Sequence, residues 1–223
     1  MNRQELRDRI LRGLNEDASS PSFWSAAEVN SLIDEGAEVL AEEANSIKRT
    51  AFVPFREGAT YYYTQSIAPD IMAPTRVWHH TLERRLIPAT VMDLDAHNEV
   101  WATVNGDPWW WFPVAWNLFG VYPAPAAASG IMRVDYLAWP PALLDDEDEP
   151  EIPESDQEQL ILYGIYDGLL KQWDLDRAIR IFALFADRLP EARYRKAVEL
   201  KAVDLQVANV ATKDGHVERI VRA

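Results

Sequence analysis

His79, His80, Glu83 and His97 are the side chains of this chain whose types could hold a metal ion. Adjacent histidines on an extended segment point to opposite faces, so His79 and His80 do not converge on one ion. Asp93, Asp95 and Glu99 could act as paired carboxylates in acid–base chemistry. Asp93 stands three positions after Thr90, however, where a carboxylate closes a helix start, and the other two read as solvent-facing. The run from Asp145 to Glu149 could gather calcium, but it lacks a glycine at loop spacing and is flanked by proline, so it reads as a solvated linker. The chain carries no nucleophile motif, phosphate loop or dinucleotide fingerprint. The expectation is therefore a non-enzyme with no catalytic residue, no cofactor and no bound metal.

The tryptophans are the second candidate chemistry. There are nine, three of them consecutive at Trp109, Trp110 and Trp111, with Trp101, Trp116 and Trp139 nearby in sequence. Such a group could stack on sugars. Strand alternation puts Trp110 opposite Trp109 and Trp111, so one set faces a core and the other faces solvent or a partner. Exposed aromatic residues are enriched at protein interfaces.

Composition narrows the classes. The net charge of −14 repels a nucleic-acid backbone. The absence of cysteine excludes disulfides, thiol catalysis and cysteine metal sites. No apolar run approaches membrane-spanning length, and the start, MNRQELRDRI, reads as an amphipathic helix rather than a signal peptide.

The elements that position these residues follow from periodicity. Helices are expected over residues 2–14, with Leu6, Ile10 and Leu14 on one face, and from Ser25 to about Ile47. Ser25 and Glu28 form a capping box there, flanked by Trp24 and Val29 as a staple. Gly36 within this helix is read as a point of close helix contact. A third helix is expected from a Ser155/Glu158 capping box through Leu160, Tyr163, Leu170 and Trp173, with a stripe too broad for one partner. A last helical segment carries Ile179, Phe182, Phe185 and Leu189, then Tyr194, Val198 and Leu205, and Pro190 kinks or divides it.

Between the helical ends the period changes to that of strands. Residues 51–55 and 61–63 read as a hairpin-like pair, and residues 75–81 and 86–88 as another. A short helical turn is expected at 90–95 and a strand at 100–104. Asn105-Gly106 signals a turn before a strand at 109–113. Strands at 118–122 and 131–137 complete the set. The fold class is thus α+β: a helix bundle from the N- and C-terminal segments with an inserted antiparallel β domain. The boundaries are 1–49 and 150–206 for the bundle, 50–141 for the insertion, 142–154 for an acidic, exposed linker, and 207–223 for a C-terminal arm.

These stretches together carry a family likeness. FWSAAEVNSLIDEGAEVLAEEA, APTRVW, LIPATVMDLD, NGDPWWWFP, LFGVYPAP, MRVDYLAWPPALLDDEDEPEIPE, YGIYDGLL and DLDRAIRIFALF occur in an order and spacing that resembles the head-to-tail adaptor proteins of tailed bacteriophages. The extra tryptophans and Pro190 depart from that pattern. The resemblance implies a structural virion protein assembled in the host bacterial cytoplasm. It implies a homo-oligomeric ring, commonly a dodecamer, that docks under the portal protein, extends the channel through which genomic DNA passes without specific binding, and offers a surface to the next neck or tail protein. It also implies a C-terminal segment reaching the portal. Val207, Val210, Val217, Ile220 and Val221 are the apolar positions of that arm, and Trp110 is a further candidate partner contact. The alternative is a Trp-rich carbohydrate-binding module of a phage tail or cell-surface protein.

Overall fold

The computed structural model describes residues 1–128 and 130–189; the late positions Tyr194, Val198 and Leu205, and Pro190, lie outside them. The architecture is α+β. Helix α1 (Arg3–Gly13) starts at Asn2, whose side chain accepts from the Glu5 amide while Glu5 reaches back, a capping box the sequence reading missed. Helix α2 (Ala26–Ala44) starts at the expected Ser25/Glu28 box and ends at Asn45, whose φ of 50° reverses the chain. Helix α4 (Gln157–Lys171) and a further helical stretch, 175–189, follow the β region.

The helices share one apolar core. Leu6 and Ile10 from α1 with Leu14 at its C-terminal cap, Val29, Ile33 and Leu40 from α2, and Leu160, Ile161, Ile165 and Leu169 from α4 are all buried in it, joined by Ala178 and Phe185. Small residues let the helices approach. A Cβ on Gly164 would lie 2.6 Å from Ile10 Cδ1. Gly36, as expected, faces a neighbouring helix: its Cβ would meet Tyr163 at 3.0 Å.

The start of α4 differs from expectation. Residues 154–156 form a 3-10 turn, and α4 begins after Asp156 without a side-chain cap. That turn leaves the Ser155 hydroxyl 3.3 Å from Asp156, while Glu158 accepts from Arg188 at 2.6 Å. Trp173 leaves the expected stripe too. It sits at φ 61° in the turn that ends α4 and is exposed.

Among the described residues ten short strands build the β region: β1 (Lys48–Pro54), β2 (Tyr61–Tyr63), β3 (Ile71–His79), β4 (Arg84–Arg85), β5 (Ile87–Pro88), β6 (Asn105–Gly106), β7 (Trp110–Ala115), β8 (Leu118–Tyr122), β9 (Ala124–Pro125) and β10 (Ile131–Ala138). One sheet has the order β1-β10-β3-β4, a second has the order β2-β8-β7-β5, and β6 and β9 form a two-stranded ladder. Most pairs are antiparallel, but β5–β7 and β6–β9 are parallel. The sheets enclose a core that includes Tyr62, Val77, Leu86, Trp111, Phe119, Val121, Met132 and Val134. Ala41 from the last turns of α2 and Ile47 from the connection to β1 enter the same core, so the helical and β layers meet there.

Strand pairing corrects several expectations. Residues 51–55 and 61–63 are not a hairpin: β1 pairs with β10, and β2 pairs with β8 in the other sheet. The crossing between them is held by Tyr62, whose hydroxyl accepts from the Arg56 amide at 3.0 Å. The expected partners 75–81 and 86–88 separate as well. Leu86 still donates to Val77 O at 2.9 Å, but Ile87 and Pro88 cross to the second sheet and lie parallel to Trp110 and Trp111. Residues 100–104 are not a strand. Trp101–Thr103 form a 3-10 turn, because the Trp101 indole donates to Asp95 at 2.8 Å and Asn98 accepts from the Val100 amide. Asn105-Gly106 is a short parallel bridge to Ala124-Pro125 rather than a hairpin turn.

The segment 142–154 lacks regular helix or strand apart from the 3-10 residue Glu154, yet it is fastened down rather than loose. Leu143 and Ile152 are buried in the helical core. The Arg3 and Gln4 amides donate to Asp148 O and Asp146 O, and Arg7 grips the Asp146 carboxylate. Like charges alone favour an open linker; buried apolar residues at both ends and the contacts of Arg3, Gln4 and Arg7 from α1 overcome them.

Candidate functional site

The sequence candidates fall into separate settings. His79 ends β3 and is buried, with its ring against Phe55 and its Nδ1 accepting from the Leu82 amide at 3.3 Å. Burial and the nearby Arg84 push its pKa below the ordinary imidazole value. His80 packs its ring against exposed Phe52. His97, at the end of α3 (Val91–His97), lies edge-on to Trp109 and Trp110. Among the described residues no group of three or more His, Asp or Glu side chains is placed to hold a metal ion. Asp93 closes α3 by accepting from the Thr90 hydroxyl at 2.7 Å and its amide at 2.8 Å. Those two hydrogen bonds hold its carboxyl below the usual range. Asp95 is the acceptor for Trp101.

The three consecutive tryptophans are not an exposed row. Trp111 is buried in the core between the sheets. Trp109 and Trp110 pack on the other side, against a separate aromatic core of Leu94, Trp101, Phe112 and Tyr122. Trp109 precedes β7, so strand alternation does not govern it. Its ring lies 4.4 Å from that of Trp110, tilted by 35°, instead of sharing a face with Trp111. Trp110 is half-buried and also meets Tyr122 at 5.8 Å.

Three other surfaces stand out. Trp116, 82% exposed, sits at the turn between β7 and β8. It borders a depression of about 150 Å³ lined also by Gln65, Met72, Asn117 and Trp139. The second surface lies on helical residues 175–189. Ala178 and Phe185 face the core, and Phe182 beside them packs its ring on Tyr166 at 4.9 Å while staying partly exposed. Leu175 and Ile179 continue the apolar surface on the solvent side. The helix thus carries one wide apolar arc whose outer edge the core leaves uncovered.

The third surface is the outer face of the first sheet. The register aligns Phe52, Arg133, Trp78 and Arg85 across four strands, and beside them Thr50, Asp135 and Arg76. Asp135 is the hub. It accepts from the Thr50 hydroxyl at 2.8 Å and from Arg133 at 2.9 and 3.2 Å, with Arg76 at 3.8 Å. These residues, with Lys48, Arg49, Thr75 and Tyr136, line a depression of about 260 Å³. The sequence reading did not single them out, because they come from three strands far apart in the chain.

The arrangement thus offers docking faces, and its buried polar groups serve packing. The chain belongs to the SU10 adaptor protein family, phage head-to-tail adaptors, which it matches over residues 1–208. No curated protein matches it. Among the described residues no helix is long and apolar enough to cross a membrane. The arm residues Val210, Val217, Ile220 and Val221 lie beyond both the family match and the described residues, and Val207 lies outside the latter.

Proposed function

We propose that this protein is a ring-forming head-to-tail adaptor of the phage virion. It docks under the portal protein, extends the DNA channel and presents an attachment surface to the next neck or tail protein. Membership of the adaptor family carries this reading. The uncovered apolar edge at Leu175 and Ile179 supports self-association, since a ring repeats one subunit's uncovered face against its neighbour. The net charge of −14 suits a channel wall along which DNA moves without adhering. The arm with Val207, Val210, Val217, Ile220 and Val221 reaches the portal, and many weak arms in one ring act together. Trp110 stabilises the part of the β region that meets the downstream partner.

Deletion of this protein from a phage that encodes it tests the reading. DNA-filled heads without tails, restored by the intact chain, are expected. Cryo-electron microscopy of restored particles should show a ring of copies against the portal. Tailed, infectious particles without the protein would overturn the proposal. Truncation after Val207 should leave folding intact and abolish portal attachment; normal tail attachment by the truncated chain would exclude the arm's role alone.

A further inference from the structure

We infer that the outer face of the β1-β10-β3-β4 sheet is the seat for the acidic loop, residues 144–149, of a second copy of this chain. The inference rests on the self-assembly proposed above and identifies one of its contacts. It begins with charge. In a chain of net charge −14, this face brings Lys48, Arg76, Arg85 and Arg133 onto neighbouring register positions, with Asp135 between Arg76 and Arg133. Residues aligned across antiparallel strands share a face at close spacing, so the register alone places these cations together. Aromatic rings lie between them. The Arg133 guanidinium stands 5.8 Å over the Trp78 ring, and Phe52 is the neighbour of Arg133 on β1. Guanidinium groups fixed in this way lose little freedom when they bind a carboxylate.

The same chain supplies the complement. Asp145, Glu147 and Glu149 are exposed on a loop whose Asp146 is held by Arg7 and whose flanks are anchored by buried Leu143 and Ile152. Asp148 accepts from the Leu144 and Asp145 amides at 2.8 and 2.9 Å, which closes the turn. The loop is therefore shaped before it meets a partner, and docking costs little ordering entropy. Two different complementary patches on one chain form a head-to-tail contact, the kind that closes into a ring when the rotation allows.

A nucleic-acid backbone fits this face less well. Phosphate charge continues far beyond a patch four strands wide, and beside it Arg49 is already held by Asp70 and Glu151. Screening over about 8 Å at physiological salt confines the attraction to the patch itself. A short loop with three carboxylates matches that reach.

The absence of cysteine makes a direct test clean. One preparation carries Phe52→Cys and another Glu147→Cys, each in the full chain. Mixed under mild oxidation, they should form a disulfide-linked heterodimer at least tenfold faster than either forms a homodimer. High salt, or Arg85→Glu added to the first preparation, should remove the advantage. Arg85 is exposed at the sheet edge, so its reversal leaves the Asp135 hub in place. Adding Asp145→Arg and Glu149→Arg to the second preparation should restore cross-linking to the Arg85→Glu chain. Equal rates for mixed and single preparations overturn the inference. Ring formation on the portal by the unaltered protein, measured beside it, then shows whether the self-assembly reading fails as well. Salt-sensitive binding of a duplex oligonucleotide, lost with Arg85→Glu, would reassign the face to nucleic acid.

Discussion

Arg7 and Asp146, 139 residues apart, form a two-point ion pair: Nη1 donates to Oδ1 at 2.6 Å and Nη2 to Oδ2 at 2.9 Å. The pair binds the acidic loop to α1. It also holds the Asp146 carboxyl below its usual range. Arg7→Gln should leave the helical core folded but loosen the loop, so that a glutamate-specific protease cleaves at Glu147 or Glu149 several-fold faster. The loop should loosen in the parent protein too as pH falls below about 4, through the lowered pKa of Asp146. Unchanged cleavage would show that Leu143 and Ile152 suffice to fix the loop.

His79 gives the β region a dependence on mildly acidic pH. Its folded pKa lies below the ordinary value, with burial the largest cause and Arg84 adding to it. The unfolded chain therefore binds more protons in this range. The contribution to stability is fully present above about pH 6.5, the unfolded value, and is lost as pH falls through the folded pKa. Melting temperature should drop between pH 7 and 5, and His79→Asn should flatten that dependence. An identical slope in the variant would assign the effect to other groups.

Gly120 on β8 has no room for a side chain. An added Cβ would lie 2.2 Å from Cζ of fully buried Phe112. The ring is enclosed by Trp101 and Tyr61 and has little space to turn. Gly120→Ala should cost about 2–3 kcal/mol in urea unfolding, the upper part of the range for overpacking a tight core. A cost below about 0.5 kcal/mol, typical of an unconstrained surface site, would contradict the packing described.

Trp110 and Trp116 should behave differently. Trp110→Ala removes ring contacts with Trp109, His97 and Tyr122. It should cost about 2–3 kcal/mol, less than the roughly 3–5 expected of a fully buried tryptophan. Trp116→Ala, at an 82% exposed position, should change stability by no more than about 0.5 kcal/mol. Tail attachment that fails with Trp116→Ala while folding holds would mark the hairpin tip as a partner contact. Reproducible glycan-array binding lost in either variant would favour the carbohydrate reading instead.

Features encoded by near neighbours were legible in the sequence. The Ser25/Glu28 and Thr90/Asp93 boxes, Gly36 at a helix contact and the strand at 118–122 all form where local pattern places them. Features that depend on distant partners were not. Nothing local distinguishes Tyr61–Tyr63 paired with Leu118–Gly120 from the same strand paired with its sequence neighbour. The acidic run read as solvated because its charges are visible in the sequence, whereas the anchoring by Arg7, Leu143 and Ile152 exists only after folding. Trp109 misled because alternation applies inside a strand and β7 starts one residue later. The cationic sheet face was invisible for the same reason as the pairings: Lys48, Arg76, Arg85 and Arg133 are neighbours only across strands.

The register of β1 with β10 sets Lys48 opposite Leu137. The chain therefore enters and leaves the β region through adjacent positions, about 5 Å apart across the sheet. For evolution this is a socket of fixed width: a β region of different sequence can stand between those two residues without a change of helix register, provided that it covers Ala41 and Ile47 as this one does.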